Sequence, residues 1–215
     1  MRIGKLLIGT VFLLLLGCAD KTVYATKNQM PYDVWYFTFT TPKLLPAQVT
    51  LLKLLDTKGY VYGFNTVDQP QGRSVGQWAK KKGRSIPAFN KVKSLPQAMQ
   101  FCWDSIIDKK VYETTILFDK SIQEKMETPE PYWNDPKEDY YHRYMIIGLA
   151  PEGKVKVWLE NNGAPDILLT TAQITTVSGE QLDMCKDVTN FPEGYEYTTK
   201  TKEFIKDKVY PYGSW

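Results

Sequence analysis

The segment that decides the fold is Tyr144 to Leu159, with the sequence YMIIGLAPEGKVKVWL. At its centre, Ala150-Pro151-Glu152-Gly153 has Pro at the second position and Gly at the fourth, which favours a type I turn. Apolar residues alternate on both sides of that turn, and this alternation predicts two antiparallel strands joined as a β-hairpin. Tyr144, Ile146 and Gly148 are predicted to share one face of the first strand, and Val155, Val157 and Leu159 one face of the second.

Alternation of the same kind continues on both sides of this hairpin. Trp35, Phe37 and Phe39 occupy every second position of one segment, which predicts a strand with an aromatic inward face. The run 48–56 is short enough to be a strand or a helix, and the turn-like Thr57-Lys58-Gly59 after it favours a strand within a hairpin. The predicted strands besides the first hairpin are 31–41, 48–56, 60–64, 95–107, 111–118 and 167–177.

Two short helices complete the prediction. Asp119 precedes the first, at 120–127, where its carboxylate can accept hydrogen bonds from the free amides of the first turn. The second spans 198–208, with Phe204 and Ile205 facing inward. Because strands dominate and no internal repeat occurs, the chain is predicted to be mainly β, an antiparallel two-layer β-sandwich with one or two short helices.

The first 17 residues predict an export signal and not a folded element. Arg2 and Lys5 precede an apolar run, Leu6 to Leu16, that is too short to cross a bilayer. The run leads into Leu15-Leu16-Gly17-Cys18, which resembles the bacterial lipobox, where the Cys becomes the acylated first residue of the mature protein. The alternative is an ordinary secretory signal in which Cys18 has no role. The predicted organisation is a lipoprotein signal peptide (1–17), a lipidated tether (18–30) and a single β-rich periplasmic domain (31–215).

Position 19 and the net charge bear on where the mature protein lies and what it binds. Ala19 follows the lipidated Cys, and a residue other than Asp there implies sorting to the outer membrane, facing the periplasm. The whole chain has a formal charge of +3, of which the signal carries two. The mature protein is therefore nearly neutral, which gives no argument for nucleic acid as a partner.

Cys102 and Cys185 remain after Cys18 is assigned to the lipid. In an oxidising periplasm two such thiols can form a disulfide. The alternative is two separate buried thiols, which behave as small apolar side chains. The sequence leaves the choice open, because it does not show whether the two residues come within bridging distance.

A basic segment occupies residues 73–93 and contains seven cations and no carboxylate. Three interpretations are open: solvated surface charge, attraction to anionic lipid headgroups or lipopolysaccharide, and steering of an acidic partner protein. Trp78 and Phe89 lie among the cations and could serve as apolar anchors in a protein interface. The residues predicted to contact a partner are Trp78, Lys80, Lys81, Lys82 and Arg84.

An acidic segment at 127–139 has five carboxylates against a single lysine and is predicted to be a loop. Its charges are either solvated or face a basic rim on a partner protein. In a further alternative the acidic and basic segments pair with each other, which would leave little of either for a partner. The residues of this segment predicted to contact a partner are Tyr132, Trp133 and Asp135.

Catalytic and metal-binding patterns are weak in this chain. His142 is the single histidine and is predicted to lie on the surface of a strand and not to act as a base. The motif Gly-x-Ser-x-Gly is absent, and one histidine with two distant thiols does not make a zinc site. The paired carboxylates of a glycosidase depend on spatial separation, which the sequence does not show. No catalytic residue, metal ligand or cofactor is therefore predicted. A lipid- or glycan-processing enzyme ranks third among the possible functions, after a protein that binds a partner and a structural or accessory envelope protein.

Several stretches together resemble one family, the envelope lipoproteins known as domain of unknown function 2931. The similarity covers nearly the whole mature chain and is most specific in the hairpin and in the terminal Gly213-Ser214-Trp215. The basic segment around residues 80–84 is longer and more charged than the family pattern. The matching stretches are Pro31 to Trp35, Leu95-Pro96, Trp103-Asp104-Ser105, Gly148 to Trp158 and Tyr212 to Trp215.

The resemblance implies a periplasmic, lipid-anchored protein that is not an enzyme. Some family members accompany type VI secreted phospholipase toxins as immunity proteins. The expected function is therefore binding of a partner protein, in its most specific form such a phospholipase, and a structural or accessory envelope role without a toxin is the alternative. The resemblance also implies structural roles for four tryptophans, of which the last is predicted to pack back onto the sheet. These are Trp35, Trp103, Trp158 and Trp215.

Overall fold

The computed structural model describes residues 30–65, 68–70, 72–82, 89–188 and 195–215. The signal peptide with Cys18, and Arg84 of the basic segment, lie outside the described residues. No described helix is long and apolar enough to cross a bilayer. The strands are β1 (Trp35–Thr40), β2 (Ala47–Asp56), β3 (Val61–Phe64), β4 (Lys91–Val92), β5 (Pro96–Ser105), β6 (Lys110–Leu117), β7 (Glu130–Tyr132), β8 (Asp135–Tyr140), β9 (Tyr144–Ala150), β10 (Lys154–Leu159), β11 (Ile167–Leu168) and β12 (Gln173–Ser178). The helices are α1 (Lys120–Glu127) and α2 (Thr199–Ile205), with a 3-10 turn at Gly179–Gln181.

The described strands form two five-stranded sheets and one two-stranded sheet. Sheet A has the strand order β11-β10-β9-β1-β4, and sheet B has the order β12-β6-β5-β2-β3. Neighbouring strands are antiparallel except β1 and β9, which run parallel. Parallel neighbours need a long crossover, and here the chain builds most of sheet B before it returns to sheet A as β9. The two sheets pack face to face, so the predicted mainly β, two-layer sandwich with two short helices is confirmed.

The core lies between the sheets and is built from the alternating apolar faces of the strands. Trp35, Phe37 and Phe39 of β1 point into it, as predicted, and none is more than 7% exposed. Phe39 contacts Phe101 of β5 edge-on, with 5.2 Å between the ring centroids, and this contact joins the two sheets. The buried indole N–H of Trp35 donates a hydrogen bond to the carbonyl oxygen of Ser94 at 2.7 Å, so its burial leaves no unpaired donor.

The hairpin of residues 144–159 forms as β9 and β10, but its turn is not type I. Glu152 has a φ of 67°, whereas the same position of a type I turn has a φ of about −90°. The Oδ2 atom of Asp108 accepts a hydrogen bond from the Glu152 N–H at 2.8 Å and supports this conformation. The face that Val155, Val157 and Leu159 share on β10 is the inner one, whereas the face that Tyr144, Ile146 and Gly148 share on β9 is the outer one. The residues of β9 that belong to the core are Met145, Ile147 and Leu149.

The predicted strand at 167–177 is two strands, which belong to different sheets. Leu168 of β11 pairs with Trp158 in sheet A, and Thr175 of β12 pairs with Thr115 in sheet B. The short turn between them carries the chain from one layer of the sandwich to the other. The prediction of one continuous strand is therefore wrong.

The helices follow the prediction more closely at α1 than at α2. Asp119 caps α1, because its Oδ1 atom accepts a hydrogen bond from the Ile122 N–H at 3.0 Å, and Met126 of the same helix is buried in the core. α2 is shorter than predicted, and Thr201 is its buried residue. Phe204, which was predicted to face inward, is half-buried.

A disulfide joins Cys102 of β5 to Cys185, with the two Cα atoms 5.3 Å apart. Both side chains are buried. Glu113 of β6 is buried beside them, and its Oε2 atom accepts hydrogen bonds from the backbone N–H groups of Asp183 and Cys185 at 2.9 and 3.0 Å. The segment after the 3-10 turn is therefore fastened to sheet B by a covalent bond and by a buried carboxylate.

Candidate functional site

The acidic segment forms a β-hairpin and not the predicted loop. Its strands, β7 and β8, pair with each other and with neither of the five-stranded sheets. Trp133 and Asn134 make the two-residue turn between the paired Tyr132 and Asp135. Trp133 is 64% exposed, and the residues of β8 up to Asp139 are exposed as well. We call residues 130–140 the acidic hairpin; it presents an aromatic tip beside a row of carboxylates.

Hydrogen bonds from the loop after β10 hold the tip of the acidic hairpin. The Asn162 side chain accepts from the Trp133 N–H at 3.0 Å and donates to the Pro131 carbonyl oxygen at 2.7 Å. The Trp133 ring packs over Gly163, where an added Cβ atom would lie 2.9 Å from the ring. Because these contacts position the tip in advance, less ordering would be needed when a partner binds.

His142 fixes the base of the acidic hairpin and is buried, so the predicted surface position is wrong. Its Nδ1 atom lies 3.1 Å from the Glu160 carbonyl oxygen, and its Nε2 atom lies 3.0 Å from Glu130 Oε1. Tyr140 packs edge-on against the imidazole, with 5.3 Å between the ring centroids. The imidazole therefore joins the acidic hairpin to the end of β10.

The contact with His142 lowers the pKa of the Glu130 carboxyl group. Partial burial opposes this shift, and the charges of His142 and Lys125 add to it. Lys125 belongs to α1, and its Nζ atom lies 3.8 Å from the same carboxylate oxygen. Glu130 thus connects α1, the acidic hairpin and the end of β10 through its ionised form.

Replacing Glu130 by glutamine is expected to make the stability of the fold less sensitive to acid. A carboxyl group with a lowered pKa stabilises the folded state above its ordinary pKa of 4.5, and that contribution disappears as the pH falls through the folded-state pKa. The wild type should therefore lose more free energy of unfolding between ~pH 7 and ~pH 3 than Glu130→Gln loses, by a margin that solvent screening keeps small. Urea unfolding at both pH values measures the difference. Glu138→Gln, an exposed carboxylate on the same hairpin, is the control, and equal acid losses in wild type and Glu130→Gln would contradict the expectation.

A groove of about 430 Å³ lies beside the acidic hairpin. Tyr132 and Tyr140 form an aromatic wall, with stacked rings whose centroids are 6.1 Å apart, and Trp133 adds to it. Carboxylates outnumber cations in the lining by three to one, so the groove suits an ammonium or guanidinium group. The charged residues of the lining are Glu138, Asp139, Glu160 and Lys81.

Residues 78–82 of the basic segment pack over the outer face of sheet A. The Trp78 ring contacts the Trp158 ring of β10, with 5.4 Å between the centroids, and Lys82 Nζ lies 3.6 Å from the centre of the Trp158 ring. The Lys82 N–H donates to Asp166 Oδ2 at 2.8 Å, and Lys82 Nζ lies 3.8 Å from the same oxygen. Burial lowers the pKa of Lys82, and the charge of Asp166 opposes that shift. Trp78 and Lys82, which were predicted to contact a partner, are thus engaged within the domain.

The other predicted contact residues separate into two groups. Lys81 is exposed, and its Nζ atom donates to the Gly163 carbonyl oxygen at 3.4 Å, at the rim of the negative groove. The structure therefore brings Lys81 together with Tyr132 and Trp133, and this is a place where the basic and acidic segments meet. Lys80 is exposed and lines a different groove, while Asp135 lies on the exposed strand of the acidic hairpin.

The C-terminal residues lie along the basic segment. The Ser214 N–H donates to the Gly76 carbonyl oxygen at 2.9 Å, and Gly213 lies so close that an added Cβ atom would overlap the same oxygen. Trp215 is half-buried and lines a groove of about 400 Å³ together with Trp78. The last tryptophan therefore packs back onto the domain, over the outer side of sheet A.

Replacing Gly213 by alanine is expected to lower the free energy of unfolding by about 1–3 kcal/mol, because the new methyl group overlaps backbone that has little room to move. The substitution should also loosen Trp215, so that iodide quenches tryptophan fluorescence more strongly. Urea unfolding and quenching measure the two effects. Gly63→Ala is the matched control, since a Cβ atom there has no neighbour within 4 Å. Identical behaviour of the two variants would contradict the close packing of Gly213 against the Gly76 backbone.

Comparison with known families decides where this chain belongs. The family model described as a protein of unknown function, DUF2931, matches residues 21–213. The chain belongs to the DUF2931 family. No curated protein and no solved structure matches it. The family match spans the sandwich, the acidic hairpin and the C-terminal residues up to Gly213.

In this DUF2931 protein the groove depends on residues that sequence patterns did not single out. Asn162 and Gly163 lie in a stretch of turn-forming residues after β10, yet Asn162 binds the hairpin tip and Gly163 leaves space for the Trp133 ring. Glu160 had no local signal either, because its partners Tyr140 and His142 lie 20 and 18 positions earlier in the chain. Within the described ranges, no group of three or more His, Cys, Asp or Glu side chains is arranged to hold a metal ion.

Proposed function

We propose that this DUF2931 protein is an outer-membrane lipoprotein that faces the periplasm and binds a partner protein through its acidic hairpin. The lipobox ending at Cys18 and the following Ala19 support the anchor and its membrane. The Cys102–Cys185 disulfide supports an oxidising compartment, because structural disulfides are rare in the reducing cytoplasm. The protein acts by contact and carries out no chemical step.

The observation that carries this proposal is the exposed, positioned aromatic tip of the acidic hairpin. Trp133 leaves 64% of its surface in solvent although its ring is large and apolar. Tryptophan is enriched among the residues that dominate the energy of protein interfaces. Hydrogen bonds to Asn162 hold the tip, and the carboxylates of Glu138 and Asp139 lie on the exposed strand beside it. An apolar anchor with a polar rim is the usual anatomy of a protein interface.

The charge of the groove indicates the chemistry of the partner. Its three carboxylates face a single lysine, Lys81. Complementary charge raises the rate of association and rejects partners of the same sign. We propose that the partner presents arginine or lysine around its contact surface, and that one such side chain enters the groove.

In its most specific form the partner is a type VI secreted phospholipase, and the protein confers immunity to it. The resemblance to family members that accompany such toxins supports this form. The acidic hairpin would block the enzyme by placing Trp133 in a basic-rimmed cleft. Inhibitors of this kind need a rigid element of matched shape and no catalytic residue.

Co-expression with a phospholipase encoded beside this gene tests the proposal directly. The phospholipase is sent to the periplasm, and growth is followed with and without the lipoprotein. Growth is expected only when the lipoprotein is exported, so a Cys18→Ser form held in the cytoplasm should give none. Failure of the exported protein to protect would reject immunity, whereas protection by the cytoplasmic form would contradict the proposed location.

Mass spectrometry of the purified protein tests the anchor separately. The expected N-terminus is Cys18 carrying acyl chains, with residues 1–17 removed. An unprocessed N-terminus without an acyl mass would contradict the anchor. The growth experiment would then still test whether the protein binds the phospholipase.

A further inference from the structure

The outer face of sheet A carries lysines and aromatic rings and, within its described strands, no carboxylate. Strand pairing identifies the face, because residues paired across neighbouring strands point to the same side of a sheet. Lys91 of β4 pairs with Tyr36 of β1, and Tyr36 pairs with Tyr144 of β9. On β10, Lys154 and Lys156 alternate with core residues and point to this same outer side.

The lysines of this face are available to a partner outside the domain. Lys91, Lys154 and Lys156 are exposed, and exposed Lys80 of the basic segment lines the groove above β10. The carboxylate in that groove, Asp166, already receives the Lys82 N–H and its ammonium group. The face therefore keeps a positive charge after its internal ion pair is taken into account.

Aromatic rings lie among these lysines. The half-buried Tyr36 ring stacks on the buried Tyr144 ring with 5.1 Å between the centroids, so of this pair Tyr36 is the ring in contact with solvent. Lys156 Nζ lies 4.8 Å from the centre of the Trp78 ring, and half-buried Trp215 lines the same groove. Tyrosine and tryptophan rings concentrate at the headgroup level of membranes, where apolar bodies and polar edges are both accommodated.

The outer face of sheet B has a different composition. Lys53 of β2 is exposed there and pairs with Gln100 of β5. Asp104 of β5 and Glu113 of β6 lie on the same side of that sheet. Both carboxylates are buried, so Lys53 is the exposed charge of that face on the described strands, against three exposed lysines on sheet A. The excess of exposed lysines gives the domain a preferred side toward an anionic surface.

We infer that the outer face of sheet A docks on an anionic lipid bilayer. The inference rests on the proposed Cys18 anchor, which keeps the domain beside a membrane and so makes weak docking effective. Between Cys18 and Met30 lie 12 residue steps, which an extended chain can stretch to at most about 40 Å. Within this reach, surface charge selects the face that meets the lipid. Each lysine close to an anionic bilayer favours the docked state roughly fivefold.

Docking by this face leaves the acidic hairpin accessible. The hairpin is joined to the end of β10 through Tyr140 and Glu160, and Lys81 of the basic segment lies at the rim of its groove. Its carboxylates would be repelled by anionic lipid, which also turns the hairpin away from the surface. The orientation therefore presents Trp133 to proteins in the periplasm.

Lysine footprinting on the lipidated protein tests this inference. The protein is reconstituted in vesicles of phosphatidylcholine, with and without phosphatidylglycerol, and acetylated briefly with an amine-reactive ester. Mass spectrometry is expected to show acetylation of Lys91, Lys154 and Lys156 slowed roughly fivefold or more by phosphatidylglycerol, with Lys53 unchanged. High salt should remove the protection, because it screens the attraction.

Two double variants test whether the lysines of sheet A, and not lysines elsewhere on the domain, cause the protection. Lys154→Gln with Lys156→Gln should lower the ratio of docked to undocked protein roughly 30-fold and so restore the acetylation of Lys91. Lys53→Gln with Lys58→Gln removes two exposed lysines elsewhere and should leave the protection of Lys91 intact. The inference would be overturned if the lysines of the wild type were acetylated equally in the two kinds of vesicle. It would also be overturned if Lys91 were protected equally in the two double variants.

The two proposals fail in different ways. If the protein carries no acyl group, the proposed anchor is wrong, and adding the unanchored protein to the same vesicles still tests the face through Lys154 and Lys156. If the acyl group is present and the lysines show no protection, the anchor holds and docking by sheet A is rejected.

Discussion

Removing the disulfide between Cys102 and Cys185 is expected to lower the free energy of unfolding by about 4 kcal/mol. The two residues are 83 positions apart, so the bond restricts the unfolded chain over a long loop while the folded chain keeps its shape. Urea unfolding of the double variant Cys102→Ala with Cys185→Ala, against the oxidised wild type, measures the loss. An effect of this size is a large part of the roughly 5–15 kcal/mol that stabilises a typical domain.

Reductant supplies the control for the disulfide prediction. It should destabilise the wild type to the level of the double variant and leave the double variant unchanged. Equal urea midpoints for the oxidised wild type and the double variant would contradict the prediction. Glu113 makes a second comparison, since it binds the amides of Asp183 and Cys185 without any redox chemistry. A Glu113→Gln variant should therefore remain sensitive to reductant.

The same bond makes stability depend on the compartment in which the chain folds. Protein made without its signal in the reducing cytoplasm should resemble the double variant, and oxidation after purification should restore the missing stability. This comparison links a structural fact, the Cys102–Cys185 bond, to the proposed periplasmic location.

Local alternation made most strands of the sandwich predictable. Trp35, Phe37 and Phe39 mark an inward face at every second position, and all three are buried. Such a pattern depends only on neighbouring residues, because side chains alternate between the two sides of any strand. The helix cap at Asp119 was predictable for the same reason, since its hydrogen bond reaches only as far as Ile122.

Strand order and the division between sheets were not predictable from local patterns. Between β11 and β12, Thr170-Thr171-Ala172 offers neither Gly nor Pro, so the sequence shows no turn where the chain changes sheets. The outer side of β9 is buried beneath the basic segment, and both sides of the strand are therefore apolar. The sequence pattern does not show which of the two sides faces the core. The parallel pairing of β1 with β9 joins residues about 100 positions apart, and no local rule selects it.

The candidate site was only partly predictable, because its contacts are distant in sequence. Trp133 and Tyr132 were singled out by their place among carboxylates. Asn162, which bonds the Trp133 N–H and the Pro131 carbonyl oxygen, lies about 30 positions further along the chain. His142 was predicted to lie at the surface, whereas Glu130 and the Glu160 carbonyl oxygen provide polar contacts for the buried imidazole. A buried polar group needs such partners, and finding them requires the fold.

Replacing Trp133 by alanine is expected to weaken binding of the partner about 30-fold or more. The indole is 64% exposed in the free protein, so a partner that covers it gains the burial of a large apolar ring. Truncating a central tryptophan of an interface typically costs about 2 kcal/mol or more, which corresponds to the expected loss of affinity. Calorimetry with the purified phospholipase, together with growth under periplasmic toxin, measures the effect.

Phe89→Ala is the matched control for Trp133→Ala, because Phe89 is an aromatic residue exposed to 76% just before β4, outside the acidic hairpin. Its loss should leave affinity and growth unchanged. The stability of the two variants should also match that of the wild type, since neither ring belongs to the core. Unaltered affinity of Trp133→Ala for a partner that binds the wild type would move the interface away from the acidic hairpin. A fall in affinity caused by Phe89→Ala instead would place the interface near β4, because that ring lies at the opposite edge of sheet A from β10 and β11.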